Sequence, residues 1–412
     1  MDALAFLSQC LSKVYQKKCI ILIDEYDVPL ENAYFEGFYN QMVSFIRSLF
    51  ESALKSNPYL EFAVITGCLR ITKESIFTGL NNLRVLTIAD VEFEEHFGFT
   101  DAEVRELLEY YGISGNYSAV KEWYDGYQFG SVDVYCPWDV ICHCGKLRAD
   151  SEAQPQNYWS NTSSNDAVRR FIRQADVEAT KQEIERLIAG ETIKKEIHQE
   201  LTYQDMYSSI DNLWSVLFTT GYLTQRGKPE KKLFSLAIPN MEIREIFTEQ
   251  IMTLFKEDIR KNRETVDDFC RALQEGNAAE VEKQFSQFLK KTISIRDTFV
   301  KKRLKENFYH GILLGILGSY HAWIVSSNRE AGEGYSDILL YMDEEELGIV
   351  IEVKYAQSGK LEEGCRDALK QIEANRYEEA LREEGAEHIL KYGIACYKKR
   401  CRVVLADAQD TP

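Results

Sequence analysis

The segment LGIVIEVKY, residues 347–355, constrains the fold of this chain more than any other stretch. Its apolar residues favour a β-strand, and alternate side chains of a strand point to opposite faces of the sheet. Glu352 and Lys354 are two positions apart, so both belong to the same face. Burying a charged pair at the end of an apolar strand is costly unless the pair has partners. The segment therefore predicts a sheet strand with a polar site at its end.

A second acidic residue comes before this strand. Asp337 heads the apolar run in GYSDILLYM, residues 334–342. Two carboxylates and a lysine suit phosphodiester hydrolysis, because Mg²⁺ prefers oxygen ligands and lowers the pKa of a bound water. The lysine can orient that water or stabilise the developing negative charge. The alternative interpretation is a surface ion pair of Glu352 with Lys354, with Asp337 capping a turn.

The segments around these residues predict a mixed α/β domain, placed at residues 291–412. Helices are predicted at 304–317 and 362–384. Strands are predicted at 322–326, 337–341 and 348–355, and near 392–397 and 402–405.

This region resembles the PD-(D/E)XK nuclease superfamily, on the segments ENFYHGILLGIL, GEGYSD and EVK. The resemblance implies a restriction-endonuclease-like fold that cuts nucleic acid, with DNA as the expected substrate. It implies Mg²⁺ or Mn²⁺ bound by Asp337, Glu352 and the carbonyl of Val353, with Lys354 as the catalytic lysine. No proline precedes Asp337, so the first motif departs from the pattern in the superfamily name.

The same resemblance adds two site residues outside the strands. Glu306 matches the acid that the first helix often supplies. Gln371, in DALKQIEANRY, matches a glutamine that some members place near the site.

Charge bears on the nucleic-acid hypothesis in two opposite ways. The formal net charge of −17 argues against a protein that coats nucleic acid through a uniformly basic surface. Two basic runs are still expected to flank the groove and contact phosphates, the alternative being solvated charge runs. The runs are Lys301, Lys302, Arg303 and Lys305, and Lys398, Lys399, Arg400 and Arg402.

The N-terminal part carries half of a nucleotide site. CIILIDEYD, residues 19–27, predicts a buried strand that delivers Asp24 and Glu25 at its carboxyl end, as a Walker B element does. In a nucleotide hydrolase Asp24 would help to hold Mg²⁺ and Glu25 would activate water. EFAVIT (61–66) and LRVLTI (83–88) predict two further strands, and Arg70 is a candidate phosphate-sensing group.

The phosphate-binding loop G-x-x-x-x-G-K-[ST] does not occur in the sequence, and only 18 residues precede the first strand. ATP hydrolysis by this chain alone is therefore not expected. Asp24 and Glu25 are then either a remnant or a half-site that a partner chain completes.

The whole chain resembles AAA-ATPase-like proteins with a C-terminal PD-(D/E)XK domain. The resemblance rests on segments such as LIDEYDVPL, TGCLRITKESIFTGLNNL, EWYDGYQFG and LAIPN. It implies a partial P-loop ATPase-like α/β region over 1–150. Residues 151–290 are expected to be helical and winged-helix-like, because NLWSVLFTTGYLT followed by KLFSLAIPN suggests a helix and then a strand pair.

Cysteine use and hydropathy suggest a compartment. The ten cysteines are scattered, with no secretory signal, which favours reduced thiols and a cytoplasmic location. No apolar run is long enough to span a membrane. The nearest group of metal-ligand types, Cys136, Cys142, His143 and Cys144, lacks the second half of a zinc motif, so no zinc site is expected.

Overall fold

The computed structural model describes the chain apart from residues 1, 56, 69–75, 78–79, 81–82, 160–165, 175–177, 207, 262, 292–301, 321, 328–336, 377 and 407–412. The side chains of residues 166–167, 178, 204, 258–261, 291, 302–304 and 337 are also outside the description. The chain divides into two compact units. Unit 1 is Met1–Gln174 with Thr192–Arg244, and unit 2 is Ala175–Glu191 with Glu245–Pro412.

Unit 1 begins with a small α/β region. Its elements are α1 (Ala3–Tyr15), β1 (Cys19–Ile23), α2 (Val28–Phe35), α3 (Tyr39–Leu54) and β2 (Leu60–Ile65). Within the described residues, β1 and β2 form a two-stranded parallel sheet. Helix α3 buries Val43, Ile46 and Phe50, whose spacing of three and four residues places them on one helical face. That face packs with Tyr26 and Leu30 into one apolar cluster.

Two sequence expectations for this region are wrong. Strand β1 is not buried on both faces, because its residues alternate between partly buried and exposed. LRVLTI forms no strand, since residues 83–88 have no paired strand among the residues described here. Leu83, Val85 and Leu86 remain more than a third exposed. The segment has the apolar residues of a strand but lacks the neighbouring backbone with which a strand forms its hydrogen bonds.

The rest of unit 1 is mainly helical, with short strand pairs. Its helices are α4 (Asp101–Tyr110), α5 (Tyr117–Tyr124), α6 (Pro137–Ala149), α7 (Asp166–Gln174), α9 (Tyr203–Met206) and α10 (Ile210–Thr219). Its strands are β3 (Tyr127–Phe129), β4 (Val132–Val134), β5 (Ile193–Glu196), β6 (Thr224–Gln225) and β7 (Leu233–Ala237). The Thr100 side chain caps α4, and Glu103 completes a capping box.

The strands β5, β7 and β6 are hydrogen-bonded in that order, and α9 and α10 lie between β5 and β6 in the chain. Helix α10 followed by β6 and β7 gives the helix and then the strand pair that the sequence predicted. Helix α10 buries Trp214, Leu217 and Phe218, so it contributes to the core of unit 1 and does not present an exposed recognition face.

Unit 2 contains a mixed sheet between helices. Its helices are α8 (Glu178–Ile188), α11 (Met241–Lys261, which starts within unit 1), α12 (Arg263–Gln274), α13 (Ala278–Lys291), α14 (Lys302–Leu317), α15 (Leu361–Asn375) and α16 (Glu378–Glu383). Its strands are β8 (Ile324–Ser327), β9 (Asp337–Met342), β10 (Leu347–Tyr355), β11 (His388–Tyr397) and β12 (Arg400–Leu405). Among the described strands the order is β12-β11-β10-β9-β8, and β10 and β11 are parallel while the other pairs are antiparallel.

Parallel neighbours need a crossover connection, and α15 with α16 provides it between β10 and β11. The two helices replace the single predicted helix 362–384, because Arg376 adopts a left-handed backbone conformation that ends α15. A Cβ at Gly364 would lie 2.9 Å from Ala395 Cβ, so this glycine allows α15 to approach the sheet closely. Ile372 of the same helix packs with Val350, which puts α15 on the sheet face that includes Glu352.

Candidate functional site

The strand register brings the two predicted acids to the same level of the sheet. Strands β9 and β10 pair antiparallel, and Asp337, the first residue of β9, is the direct partner of Glu352. The backbone positions of the two residues are thus neighbours across the ladder, although a loop separates them in sequence. The side chain of Asp337 is outside the described part of the structure.

Glu352 is a buried carboxylate with an unusual environment. Its side chain is 0% exposed, and Lys354 Nζ lies 2.7 Å from its Oε1 atom, with the Lys354 side chain 17% exposed. Neither carboxylate oxygen has a partner with hydrogen-bond geometry in the described structure, so the short contact with Lys354 is an ion pair of poor angular geometry. The alternative interpretation of a surface ion pair is therefore wrong for Glu352. Burial of a carboxylate is costly, and one ammonium leaves most of its lone pairs unused.

Backbone direction at the end of β10 follows from one hydrogen bond. The Ala356 N–H donates to Cys396 O of β11 at 2.9 Å. Because successive residues of a strand direct their N–H and C=O groups to opposite neighbours, those of Tyr355 and Val353 face the β9 side. Strand β9 begins with Asp337, which is opposite Glu352. The Val353 carbonyl, one residue further along β10, is therefore directed towards the start of β9.

Glu306 of helix α14 contacts this end of β10. Its Oε1 accepts a hydrogen bond from the Tyr355 N–H at 3.1 Å. The Tyr309 ring of the same helix stacks on Tyr355 at a centroid separation of 6.1 Å, and Lys305 Nζ lies 4.8 Å from the centre of the Tyr355 ring. Helix α14 thus supplies an acid to the residue that follows Lys354, and it holds the end of the strand by aromatic packing.

Gln371 lies on helix α15 and is half-buried. It comes seven residues, two helical turns, after Gly364, which approaches the sheet, so the two share a helix face. The structure thus places Gln371 on the helix that covers the Glu352 face, and it gives no direct contact between the two side chains.

The residues present fit a divalent cation. A fully buried carboxylate with unused lone pairs and a backbone carbonyl directed towards β9 are oxygen donors of the kind that Mg²⁺ and Mn²⁺ prefer, and the backbone of Asp337 lies opposite Glu352 in the ladder. Within the described side chains no group of three or more His, Cys, Asp and Glu residues could hold a metal ion. The Asp337 side chain and the backbone carbonyls of the chain are not among these described side chains.

Two of the four residues in the second predicted basic run are paired with acids. Lys399 Nζ lies 3.0 Å from Glu185, whose side chain is 4% exposed, and Arg402 pairs with Glu282 at 3.3 Å. In the first run Lys305 is buried, and the side chains of residues 301–303 are outside the description. Lys305, Lys399 and Arg402 therefore take part in packing or ion pairs. Lys398 and Arg400 are exposed, so phosphate contact stays a prediction for these two residues.

The N-terminal acids are tied to the neighbouring strand. The Thr66 hydroxyl donates to Asp24 Oδ1, and the Glu25 N–H donates to Thr66 Oγ1 at 3.3 Å. Glu25 has a φ of 50°, which turns the chain sharply after β1. Arg70, the third predicted residue of this half-site, lies outside the described residues. Thr66 is an additional member, signalled by its position at the end of the adjacent strand EFAVIT.

Sequence reasoning missed a buried acid pair in unit 1. Asp139 of α6 and Glu242 of α11 are 2% and 1% exposed. Glu242 Oε1 accepts hydrogen bonds from the Tyr158 and Trp159 N–H groups at 2.6 and 2.8 Å. Burial, and then the nearby carboxylate of Asp139, raises the pKa of Glu242 to about 8. Each acid is unremarkable within its own segment, so no sequence signal marked the pair.

Comparisons with known proteins agree with the arrangement of these segments. Residues 304–405 match the PD-(D/E)XK nuclease superfamily, and residues 1–77 match a family described as a predicted AAA-ATPase. The chain thus carries an AAA-ATPase-like domain followed by a PD-(D/E)XK nuclease domain, which confirms the architecture that the motifs indicated. Its C-terminal mixed sheet matches the PD-(D/E)XK fold.

The chain is also similar to an uncharacterized protein in the vnfD 5′ region of Azotobacter chroococcum mcd 1. The two are 24% identical over 247 residues, which cover 57% of this chain and 43% of the relative. The matched part is thus less than half of the relative's length. No solved structure matches the chain. None of the described helices combines the length and apolar character needed to cross a lipid bilayer.

Proposed function

We propose that unit 2 hydrolyses phosphodiester bonds of nucleic acid, with DNA as the substrate, at a divalent-cation site formed by Asp337, Glu352 and the Val353 carbonyl. The observation that carries the proposal is the environment of Glu352, a fully buried carboxylate whose oxygens lack hydrogen-bond donors among the described residues. Residues directly opposite in an antiparallel pair have Cβ atoms about 4.5–5.5 Å apart, a separation at which two acids can share one cation. The nuclease-superfamily match over 304–405 supports the same assignment.

Each of the remaining site residues has a distinct role in this proposal. A cation bound there supplies a water of lowered pKa and neutralises phosphate charge. The Lys354 ammonium orients the attacking water and stabilises charge that develops on the phosphate. Glu306 keeps the end of β10 in place through the Tyr355 N–H, which positions Lys354. Gln371 faces the site from helix α15 and supplies an amide for a water or a phosphate oxygen.

Incubation with supercoiled plasmid and Mg²⁺ or Mn²⁺ tests the proposal. Wild-type protein is expected to nick or linearise the plasmid, while K354A and E352Q lose at least a hundredfold in rate because each removes a group at the reacting centre. K360A is the matched control, because Lys360 is an exposed lysine after the same strand whose ion pair with Glu363 is solvated. Equal cutting by wild type and K354A would refute the site. DNA binding without cleavage would favour the alternative of a non-catalytic nucleic-acid-binding or regulatory module.

A second proposal concerns the ATPase-like segment: a partner chain that carries the phosphate-binding loop completes it. The supporting observation is the sheet of β1 and β2, which leaves Ile20, Leu22, Phe62 and Val64 between 45% and 73% exposed. Parallel sheets are nearly always covered on both faces, and two strands alone are marginally stable. A further strand would extend this sheet at its edge, and a helix would cover its exposed face beside Asp24 and Glu25.

Co-expression with a candidate chain containing a GKS or GKT loop, encoded next to this one, tests the second proposal. Co-purification and binding of a fluorescent ATP analogue are expected for wild type and lost for the double variant L22S/V64S. W138S is the control, since Trp138 is a similarly exposed apolar residue, on α6. Loss of binding by W138S to the same extent, or binding of the nucleotide by this chain alone, would contradict it.

A further inference from the structure

We infer that Lys354 serves as an internal counter-ion of Glu352 that an incoming divalent cation must displace, so that the site rests in a closed, charge-paired state. This inference rests on the proposed cation site and adds the way in which access to that site is controlled. It concerns two residues of one strand and needs no movement of the backbone.

The resting geometry supports a closed state. The Lys354 ammonium lies 2.7 Å from Glu352 Oε1, at the distance of a tight ion pair. The Glu352 side chain is 0% exposed, while the Lys354 side chain retains 17% exposure. Of the two side chains, that of the lysine is the one that reaches solvent.

The Lys354 ammonium and an incoming divalent cation compete for the Glu352 carboxylate because both are positively charged. An ammonium at 2.7 Å contacts the same oxygen that a metal ion would use, although it does not lie along a lone-pair direction of that oxygen. A divalent cation on Glu352 would repel the ammonium at this range, and screening is weak in a buried site. Cation binding therefore releases Lys354 from Glu352 and frees its three donors for the substrate phosphate.

The inference predicts that removing the lysine charge strengthens cation binding although it abolishes cleavage. Mn²⁺ affinity is measured from the electron paramagnetic resonance signal of free Mn²⁺, without any nucleic acid. K354M is expected to bind Mn²⁺ at least tenfold more tightly than wild type, because methionine retains the apolar stem without the competing charge. K354R is expected to stay within about threefold of wild type, and E352Q to lose binding.

Loss of the lysine leaves a buried carboxylate without its counter-ion, so K354M is at risk of misfolding in the absence of metal. A measurement on the wild type keeps the inference testable. Acylation of lysines by a water-soluble ester, read by mass spectrometry, is expected to increase at Lys354 when Mg²⁺ is added and to stay constant at Lys360. Constant labelling of Lys354 at a Mg²⁺ concentration that saturates the site would overturn the inference.

The Mn²⁺ measurements distinguish the counter-ion role of Lys354 from the existence of the cation site. If E352Q loses Mn²⁺ binding but K354M binds no more tightly than wild type, the counter-ion role is refuted and the cation site stands. If wild type and E352Q bind Mn²⁺ equally or not at all, the cation site itself is refuted, and the counter-ion role is refuted with it.

Discussion

Replacing Glu242 by glutamine should remove a pH dependence of stability from unit 1. Glutamine keeps an acceptor for the Tyr158 and Trp159 N–H groups but cannot ionise. The pKa of Glu242 is raised to about 8 by burial and by Asp139. A carboxyl with a raised folded-state pKa contributes stability that is fully present below its unfolded pKa. That stability is lost as the pH rises through the folded pKa.

The size of the effect follows from the shift. A rise from the ordinary value of 4.5 to about 8 corresponds to about 5 kcal/mol, at about 1.4 kcal/mol per pH unit, as an upper limit on the loss. The loss accumulates between pH 4.5 and 8 and is complete above that range. Cys136 and Tyr158 stay neutral there, because burial raises the pKa of the Cys136 thiol far above its usual range and that of Tyr158 to about 12.

Chemical denaturation followed by the fluorescence of the tryptophans, at pH 5, 7 and 9, measures the effect. Wild type should lose several kcal/mol of unfolding free energy from pH 5 to pH 9, and E242Q should lose much less. E106Q is the control, since Glu106 is an exposed carboxylate of α4. Parallel pH profiles for wild type and E242Q would refute the raised pKa of Glu242.

Three further predictions concern unit 2. I351A should lower the unfolding free energy by about 2–5 kcal/mol, because Ile351 is fully buried in β10. The control I324A, at an exposed position of β8, should change it by less than about 0.5 kcal/mol. Denaturant titration measures both values. E306Q should reduce plasmid cleavage about tenfold with the fold retained, because a neutral amide holds the Tyr355 N–H less strongly; cleavage unchanged from wild type would remove Glu306 from the site. EDTA should abolish cleavage and excess Mn²⁺ restore it; cleavage that persists after exhaustive chelation would contradict a cation-dependent reaction.

Several elements could be predicted from the sequence because their signals are local. The apolar run of β10 and the Thr100–Glu103 capping box both act within a few residues. The same local reasoning failed for LRVLTI, since a strand also requires a neighbouring backbone. It also failed for the predicted helix 362–384, which the left-handed conformation of Arg376 divides.

By itself the sequence determined that Glu352 and Lys354 share one face of a strand, because side-chain alternation is a property of the backbone. Only the tertiary structure decided that Asp337 is opposite Glu352, that Glu306 reaches the Tyr355 N–H, and that Glu352 is completely buried. Register, helix docking and burial depend on segments far apart in the chain. Their energies arise when those segments pack together, so no local pattern records them.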